Sequence, residues 1–274
     1  MTTTPEAHSC KNCGNHFIGY YCNICGEKVL GKEDRSFRAF LNSIFLALTL
    51  ADSRFLKGLW LMVAKPGFLS NEFSEGRKVK YIKPLSIFFL LNLIYFLFPV
   101  IQLFNASLRT QVNTLQGKIA VQAVATKMTK LGFDDVKSFA ILYDQKTTGL
   151  AKMLVIVFVV LVSIPPNLMY RSRNRYFTDH LGLSMELACF NLLINALLLT
   201  LVVNTFKLGA YLDETVLTAI FIITNLYFLL RSSAIFYRET GILLVLKSIL
   251  MIGVLRVALE AYRAILFYVT LWAL

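Results

Sequence analysis

The sequence predicts an all-α polytopic membrane protein with about five transmembrane helices, preceded by amphipathic interfacial helices and a small cysteine-rich head. Of its 274 residues, 57% are hydrophobic and only 16% are charged, too few charges to cover so much apolar surface in water. Several apolar runs are long enough to cross a hydrocarbon core of about 30 Å. The net charge of +12 is concentrated at the flanks of these runs, which favours an anionic lipid bilayer as a partner and disfavours nucleic acid.

Four cysteines near the N-terminus form two Cys-x-x-Cys motifs: Cys10, Cys13, Cys22 and Cys25. A glycine, Gly14 or Gly26, follows each motif and suits a tight turn that directs two thiolates at one ion. Two such turns can close a tetrahedral site with metal–sulfur bonds of about 2.3 Å. We therefore expect a structural zinc site, with iron as the less favoured metal, in a zinc-ribbon-like head over residues 1–30. His8 and His16 would serve as ligands only if a cysteine did not bind.

The compartment of the head follows from the residues around these cysteines. The first residues, MTTTPEAHS, lack the basic and apolar regions of a signal peptide. We expect the head to be cytoplasmic, where reducing conditions favour metal binding over disulfides at this spacing. Cys189 lies within an apolar run and is expected to be a small buried hydrophobe.

Amphipathic helices and a basic linker are predicted over residues 31–83. Apolar residues between Phe37 and Leu48 recur at the spacing of one helical face. Asp52 and Ser53 can cap a second helix, which the Lys-Pro-Gly sequence at 65–67 ends. These helices are expected either to lie at the membrane surface or to pack on the cytoplasmic face of the bundle. Four basic residues before the first span are expected to contact lipid headgroups: Arg77, Lys78, Lys80 and Lys83.

The transmembrane domain is predicted over residues 84–274. Its spans are expected at about residues 84–104, 149–170, 184–206, 214–230 and 241–274. The polar stretch at 105–150 is expected to carry two short helices, the second capped by Asp134. Pro165 and Pro166 are expected to kink the second span.

The last segment is longer than one crossing requires and contains four charged residues: Lys247, Arg256, Glu260 and Arg263. Either a tilted span emerges from the membrane around Glu260, or an interfacial piece bends near Gly253. We favour one long helix whose charged face lies against protein or at the interface.

The loop charges predict the orientation. The loop at 171–183 contains three arginines and the loop at 231–240 contains two, whereas the loop at 207–213 has only Lys207. The loop at 105–150 has more basic residues but at lower density, accompanied by acids, and is assigned to the outside. Because basic loops stay in the cytoplasm, the N-terminus is expected inside and the C-terminus outside.

The third predicted span has a polar stripe formed by His180, Ser184, Asn191 and Asn195. These four positions fall within about 60° of a helical wheel. Such a stripe can line a path for a small molecule or lipid, or it can join neighbouring helices through hydrogen bonds, and we favour the second interpretation. Glu186 points away from the stripe, which weakens a catalytic pairing with His180.

The segment from Lys65 to Phe98, KPGFLSNEFSEGRKVKYIKPLSIFFLLNLIYFLF, resembles a family of bacterial inner-membrane proteins, common in Bacteroidetes and described only as a domain of unknown function. Its members have an N-terminal Cys-x-x-Cys pair, a Pro-Gly, Gly-Arg, Tyr and Pro run before the first span, and a His-Leu pair opening a later span. The corresponding residues here are the four head cysteines, Pro66, Gly67, Gly76, Arg77, Tyr81, Pro84, His180 and Leu181. Where members often have a second histidine, this chain has Glu186. The resemblance implies a polytopic inner-membrane protein with a zinc-ribbon-like head, and implies no activity.

Three functions are considered. The favoured one is an adaptor or accessory subunit whose head docks a cytoplasmic or membrane protein and whose spans pack against another integral membrane protein or complex. The alternative is a transporter of a small molecule or lipid that uses the polar stripe. A membrane enzyme using Asp179, His180 and Glu186 is the least favoured, because the sequence has no nucleophile motif, phosphate-binding glycine loop or histidine metal triad.

Overall fold

The computed structural model describes residues 7–10, 13–26, 53–77, 81–98, 101, 103–105, 107–112, 117–173, 175–211 and 213–274. These residues fall in two compact units, Met1–Ser53 and Arg54–Leu274. The helix predicted at 37–48 lies outside the described residues, as do Lys78 and Lys80 of the predicted basic flank.

The N-terminal unit is built on a two-stranded antiparallel sheet, β1 (Ala7–Ser9) and β2 (His16–Ile18). Tight turns follow the two strands, because the carbonyl of Cys10 accepts from the amide of Gly14 at 2.9 Å and that of Cys22 from Gly26 at 2.8 Å. Both glycines have positive φ, 74° and 76°, a conformation that glycine adopts without a steric penalty. The predicted turn after each Cys-x-x-Cys motif is therefore present.

Two helices come first in the second unit, α1 (Ser53–Ala64), apart from its first residue, and α2 (Phe68–Ser74). Helix α1 ends directly before the Lys-Pro-Gly turn at 65–67. One face of α1 buries Phe55 and Met62 while the other exposes Leu56 and Trp60. The hydroxyl of Tyr227 donates to the carbonyl of Val63 at 2.8 Å. Helix α1 therefore packs on the bundle with one face and leaves an apolar face exposed.

Helix α3 (Pro84–Leu97) is 14 residues long, shorter than the first span predicted at 84–104. It ends because Phe98, which precedes a proline in the sequence, has extended backbone angles of φ −108° and ψ 147°, as a following proline favours. The amides of Leu103 and Phe104 donate to the hydroxyl of Tyr95 at 2.8 and 3.2 Å. The chain thus folds back towards α3 instead of extending it.

Two short helices follow, α4 (Leu108–Val112) and α5 (Gly117–Leu131). These two helices form an apolar cluster with residues from the first part of the next helix and from the end of the last helix. The buried residues of the cluster are Leu108, Ala120, Val124, Met128, Phe139, Tyr143, Phe267 and Leu271. This cluster defines one end of the bundle, which we call the Phe139 end.

Among the described residues, four helices are long and apolar enough to cross a membrane, which confirms the all-α polytopic class. They are α6 (Val136–Met169), α7 (Phe177–Phe206), α8 (Glu214–Phe236) and α9 (Gly241–Ala273). Helix α9 is one unbroken helix, as favoured from the sequence, with no break at Gly253. In α7 the turns over Leu192–Leu198 are π-helical, and Thr200 just beyond them accepts from the amide of Ile101 at 2.9 Å.

Helix α6 begins well before the predicted boundary at residue 149. The second short helix expected at 105–150 is in fact the first part of α6, where Phe139 and Tyr143 are buried in the apolar cluster. The N-cap is Asp135 and not Asp134, because the Asp135 carboxylate accepts from the amides of Lys137 and Ser138 at 3.1 Å each. These bonds also hold the pKa of Asp135 below its usual range.

Helices α6 and α9 are antiparallel neighbours. The hydroxyls of Thr147 and Thr270 lie 2.9 Å apart at the Phe139 end. At the other end, the Lys247 ammonium lies 4.5 Å from the centroid of the Tyr170 ring. We call that other end, which also holds α2 and Arg175, the Arg175 end. Helix α6 continues through Pro165 and Pro166 to Met169, and the kink there stays a prediction.

Candidate metal centre and polar networks of the bundle

The four head cysteines form a compact cluster whose sulfur atoms all lie within 4.8 Å of one another. The shortest separations, Cys10 to Cys25 at 3.4 Å and Cys13 to Cys22 at 3.6 Å, join one motif to the other. Sulfurs at the corners of a tetrahedral site with bonds of about 2.3 Å are about 3.8 Å apart. The donor set and its spacing therefore fit one metal ion held by all four thiolates.

The electrostatic environment of the thiols differs within the cluster. The backbone amide of Cys25, followed by that of Ile24, lowers the pKa of Cys22 to about 6. The backbone amide of Asn15 lowers the pKa of Cys13, but desolvation and the other three thiols together outweigh it and raise that pKa to about 12. A bound cation would remove this difference, because it stabilises every coordinating thiol as the thiolate.

The head supports the cluster with one polar contact and exposes four large side chains. The side-chain amide of Asn15 lies 3.9 Å from the sulfur of Cys22 and donates to the side chain of Asn23 at 2.7 Å, so it supports one ligand from outside the cluster. Four large side chains of the head have at least three-fifths of their surface exposed: Ile18, Tyr20, Tyr21 and Ile24. Neither His8 nor His16 belongs to the sulfur cluster of the described residues.

The polar stripe of α7 is buried, and its two asparagines are hydrogen-bonded to α8. Asn191 and Asn225 of α8 each donate a side-chain amide to the oxygen of the other at 2.9 Å. Asn195 donates to Asn191 at 2.9 Å and accepts from the hydroxyl of Thr224 at 3.0 Å. These amides join α7 to α8, which favours the helix-packing interpretation over an open path.

The first residue of the stripe, His180, lies beside a pair of stacked tyrosines. His180 Nδ1 is 2.7 Å from the hydroxyl of Tyr237, whose ring stacks on that of Tyr170 at 3.6 Å. His180 is buried, because Tyr237 after the end of α8 covers it. Ser184 and Ser232 line a small cavity of about 20 Å³, enough room for one water molecule.

Glu186 is the site residue whose role the sequence did not reveal. It is fully buried in α7. One carboxylate oxygen accepts from the amide of Gly67 at 2.9 Å, and the other accepts from the amide and the hydroxyl of Ser70 at 2.9 and 2.5 Å. Glu186 therefore satisfies the otherwise unpaired amides at the N-terminus of α2.

Arg175 holds the opposite end of the same helix. Its guanidinium donates to Ser74 at 2.6 Å, to the side chain of Asn71 at 2.8 Å and to the carbonyl of Phe236 at 3.0 Å. Helix α2 thus has a carboxylate at its N-terminus and a guanidinium at its C-terminus, the arrangement that its dipole favours.

A second ionic network lies where α8 passes into α9. Glu239, which is 6% exposed in its side chain, pairs with Lys247 at 2.8 Å and with Arg173 at 3.2 Å. The hydrogen bond from Lys247, together with Arg173, holds the pKa of Glu239 below its usual range. The Arg175 end is therefore fixed by buried or half-buried ion pairs.

The three residues of the least favoured, enzymatic interpretation have different hydrogen-bond partners. Asp179 accepts from the amide of Tyr176 at 3.0 Å, while His180 contacts Tyr237 and Glu186 contacts α2. In the basic flank, Arg77 pairs with Glu72 and Glu75, which raises its pKa. Lys83 is exposed, and its contact with lipid headgroups stays a prediction.

Comparison with known proteins finds similarity in one segment. A family described as a protein of unknown function, DUF3667, matches residues 52–96. The matched segment contains α1, α2 and α3, and with them Gly67, Ser70 and Arg77. None of the curated proteins and none of the solved structures compared with the chain is similar to it.

Proposed function

We propose that this chain is an adaptor or accessory subunit of the bacterial inner membrane, whose zinc-bound cytoplasmic head docks a partner protein. The observation that carries the proposal is the cluster of four cysteines in a head that exposes four large side chains. A metal ion held by four thiolates has no open coordination position for a substrate or water. The head is therefore suited to binding rather than to chemistry.

The exposed side chains favour a protein partner for the head. Tyrosine and large aliphatic residues are typical anchors of protein interfaces. The head at residues 1–30 has two lysines, Lys11 and Lys28, and two glutamates, Glu6 and Glu27, so its formal charges cancel. Attachment to anionic lipid is favoured by an excess of basic residues, which the head does not have.

The charges of the bundle support the cytoplasmic orientation of the Arg175 end. Arg171, Arg173 and Arg175 lie between α6 and α7, and Arg238 lies between α8 and α9. Basic residues accumulate in cytoplasmic loops. The transporter alternative is less well supported, because the amides of the polar stripe pair with one another.

The docking proposal is tested on the full chain in mild detergent. Quantitative mass spectrometry would compare proteins that co-purify with the wild type, with Tyr20→Ala/Tyr21→Ala and with Tyr176→Ala, a matched control whose side chain is 79% exposed in the bundle. We expect one protein to be recovered with the wild type and the control but not with the double variant. When that protein is tagged instead, this chain should be recovered with it. Recovery of the same proteins from all three variants would contradict the proposal.

The metal is tested separately by elemental analysis of the purified chain. We expect one zinc per chain in the wild type and in Cys189→Ser, whose cysteine is buried in α7, and a loss of zinc in Cys13→Ser. Stoichiometric iron would replace zinc in the proposal. Neither metal at one equivalent would refute the four-thiolate site.

A further inference from the structure

Helix α9 has an ion pair on its outer surface. Arg256 Nη2 lies 2.9 Å from Glu260 Oε1, and 68% of the Arg256 side chain is exposed. Glu260 is also 3.7 Å from Arg263. The charged face of α9 comprises Arg256, the half-buried Glu260 and three exposed residues on the same side of the helix: Val245, Ile249 and Gly253.

The depth of Arg256 follows from the antiparallel register of α6 and α9. Lys247 lies against Tyr170, and Thr270 lies against Thr147. Counting nine residues from the first pair, forwards along α9 and backwards along α6, places Arg256 opposite Leu161. Leu161 is in the middle of the stretch from residue 153 to 170, which contains no charged residue. Arg256 is thus exposed within the apolar layer of the bundle.

Contact with lipid chains is energetically unfavourable for the charged face. A charged side chain that points into hydrocarbon is unfavourable, and charged residues of membrane helices normally face protein or water. A long arginine can escape by extending to the headgroups. Arg256 instead pairs with Glu260, one turn nearer the Phe139 end, and in the same register Glu260 lies opposite Val157, still within the uncharged stretch. The charged face is therefore expected to be covered by protein.

We propose that the charged face of α9 binds a membrane helix of another integral protein through a carboxylate that pairs with Arg256. The proposal rests on the adaptor function and names the surface and chemistry of its membrane contact. Arg256, Glu260 and Arg263 together have one excess positive charge, which a carboxylate neutralises and a second copy of this chain would double. Gly253 has open space where a side chain would be, so a partner helix can approach closely beside Arg256.

The test places a photo-crosslinking amino acid at Ile249 of the full chain in intact cells. The control position is Ile223 of α8, which is also apolar and is 67% exposed. We expect an adduct from position 249, and not from 223, with one integral membrane protein other than this chain. Arg256→Glu should reduce the adduct at least tenfold, and exchanging the partner's membrane carboxylate for arginine should restore it.

Four results would overturn the proposal: an adduct of this chain with itself, equal yields from the two positions, no adduct from position 249, or an adduct unaffected by Arg256→Glu. Arg256→Gln, which adds no negative charge, should weaken the adduct as well. This variant keeps the test informative if Arg256→Glu does not fold. Tyr20→Ala/Tyr21→Ala should leave this adduct intact. Failure of the head to dock and failure of the α9 contact are therefore distinguishable.

Discussion

Glu186 and Ser70 are 116 residues apart in the sequence, yet the carboxylate of one accepts from both the amide and the hydroxyl of the other. The N-cap position of α2 is Gly67, which has no side chain to accept a hydrogen bond. Glu186 in α7 supplies the acceptor that a serine or aspartate normally supplies locally at this position. The short helix of the family-matched segment is therefore held by a residue outside that segment.

We expect Glu186→Ala to destabilise the bundle by about 3 kcal/mol, because it leaves two buried amides and a hydroxyl without an acceptor. Glu186→Gln should cost less, since it keeps one oxygen acceptor. Ser70→Ala, which removes only the hydroxyl, should have the smallest effect. Thermal unfolding in detergent measures the series, and an unchanged melting temperature for Glu186→Ala would contradict this role.

Gly67→Ala and Gly76→Ala form a matched pair. Both glycines have positive φ, 81° and 83°, so alanine at either position is strained by about 1–2 kcal/mol. Only at Gly67 would the added Cβ lie 2.8 Å from the Cα of Ser232, whereas nothing lies within 4 Å at Gly76. We expect a lower melting temperature for Gly67→Ala than for Gly76→Ala, and equal values would show that the contact with α8 is relaxed.

The Asn191–Asn225 pair predicts a positive coupling between its two members. Asn191→Leu or Asn225→Leu alone should cost about 1 kcal/mol, because each leaves a buried amide without its main partner. The double variant should be less destabilised than the sum of the two single variants. A double-mutant cycle of unfolding free energies measures this coupling, and strict additivity would contradict the pairing.

Asp135→Ala is expected to destabilise the start of α6, since the carboxylate accepts from two amides there. Asp134→Ala provides the control, because it removes the same charge at the neighbouring position. Hydrogen exchange of the first turn of α6 should be faster in Asp135→Ala only. Faster exchange in Asp134→Ala alone would restore the cap predicted from the sequence.

The Glu239 network predicts a pH dependence. Because Lys247 and Arg173 lower the pKa of Glu239 in the folded chain, its ion pairs contribute stability above the pKa of a free glutamate, about 4.3. That contribution is lost as the pH falls through the lower folded value. We expect wild type and Glu239→Gln to differ in melting temperature at pH 7 and to converge in acid. A constant difference would contradict the ionised pairs.

The long helices could be predicted because hydropathy is a local signal. α7 to α9 lie where apolar runs were found, and the paired Cys-x-x-Cys motifs predicted which side chains converge in the head. Boundaries were less accurate where packing decides them. α6 starts early because Phe139 and Tyr143 are buried against α5 and α9, although this stretch is too polar to suggest a span.

The contacts that fix the Arg175 end could not be read from the sequence. The polar stripe was defined by periodicity along one helix, so it included Asn191 but not its partner Asn225 in α8. Glu186 was noted only as pointing away from that stripe. Its partners are backbone amides of a short helix more than a hundred residues earlier, and a single sequence contains no signal for such a pairing.

The π-helical turns of α7 affect how this chain tolerates a change in length. Removing one residue from an α-helix rotates everything beyond the deletion by about 100°. Removing one from residues 192–198 would instead let an overwide turn relax to ordinary width, leaving Asn191 aimed at α8 and Thr200 aimed at Ile101. In relatives whose corresponding helix is one residue shorter, the gap is therefore expected to fall in this stretch.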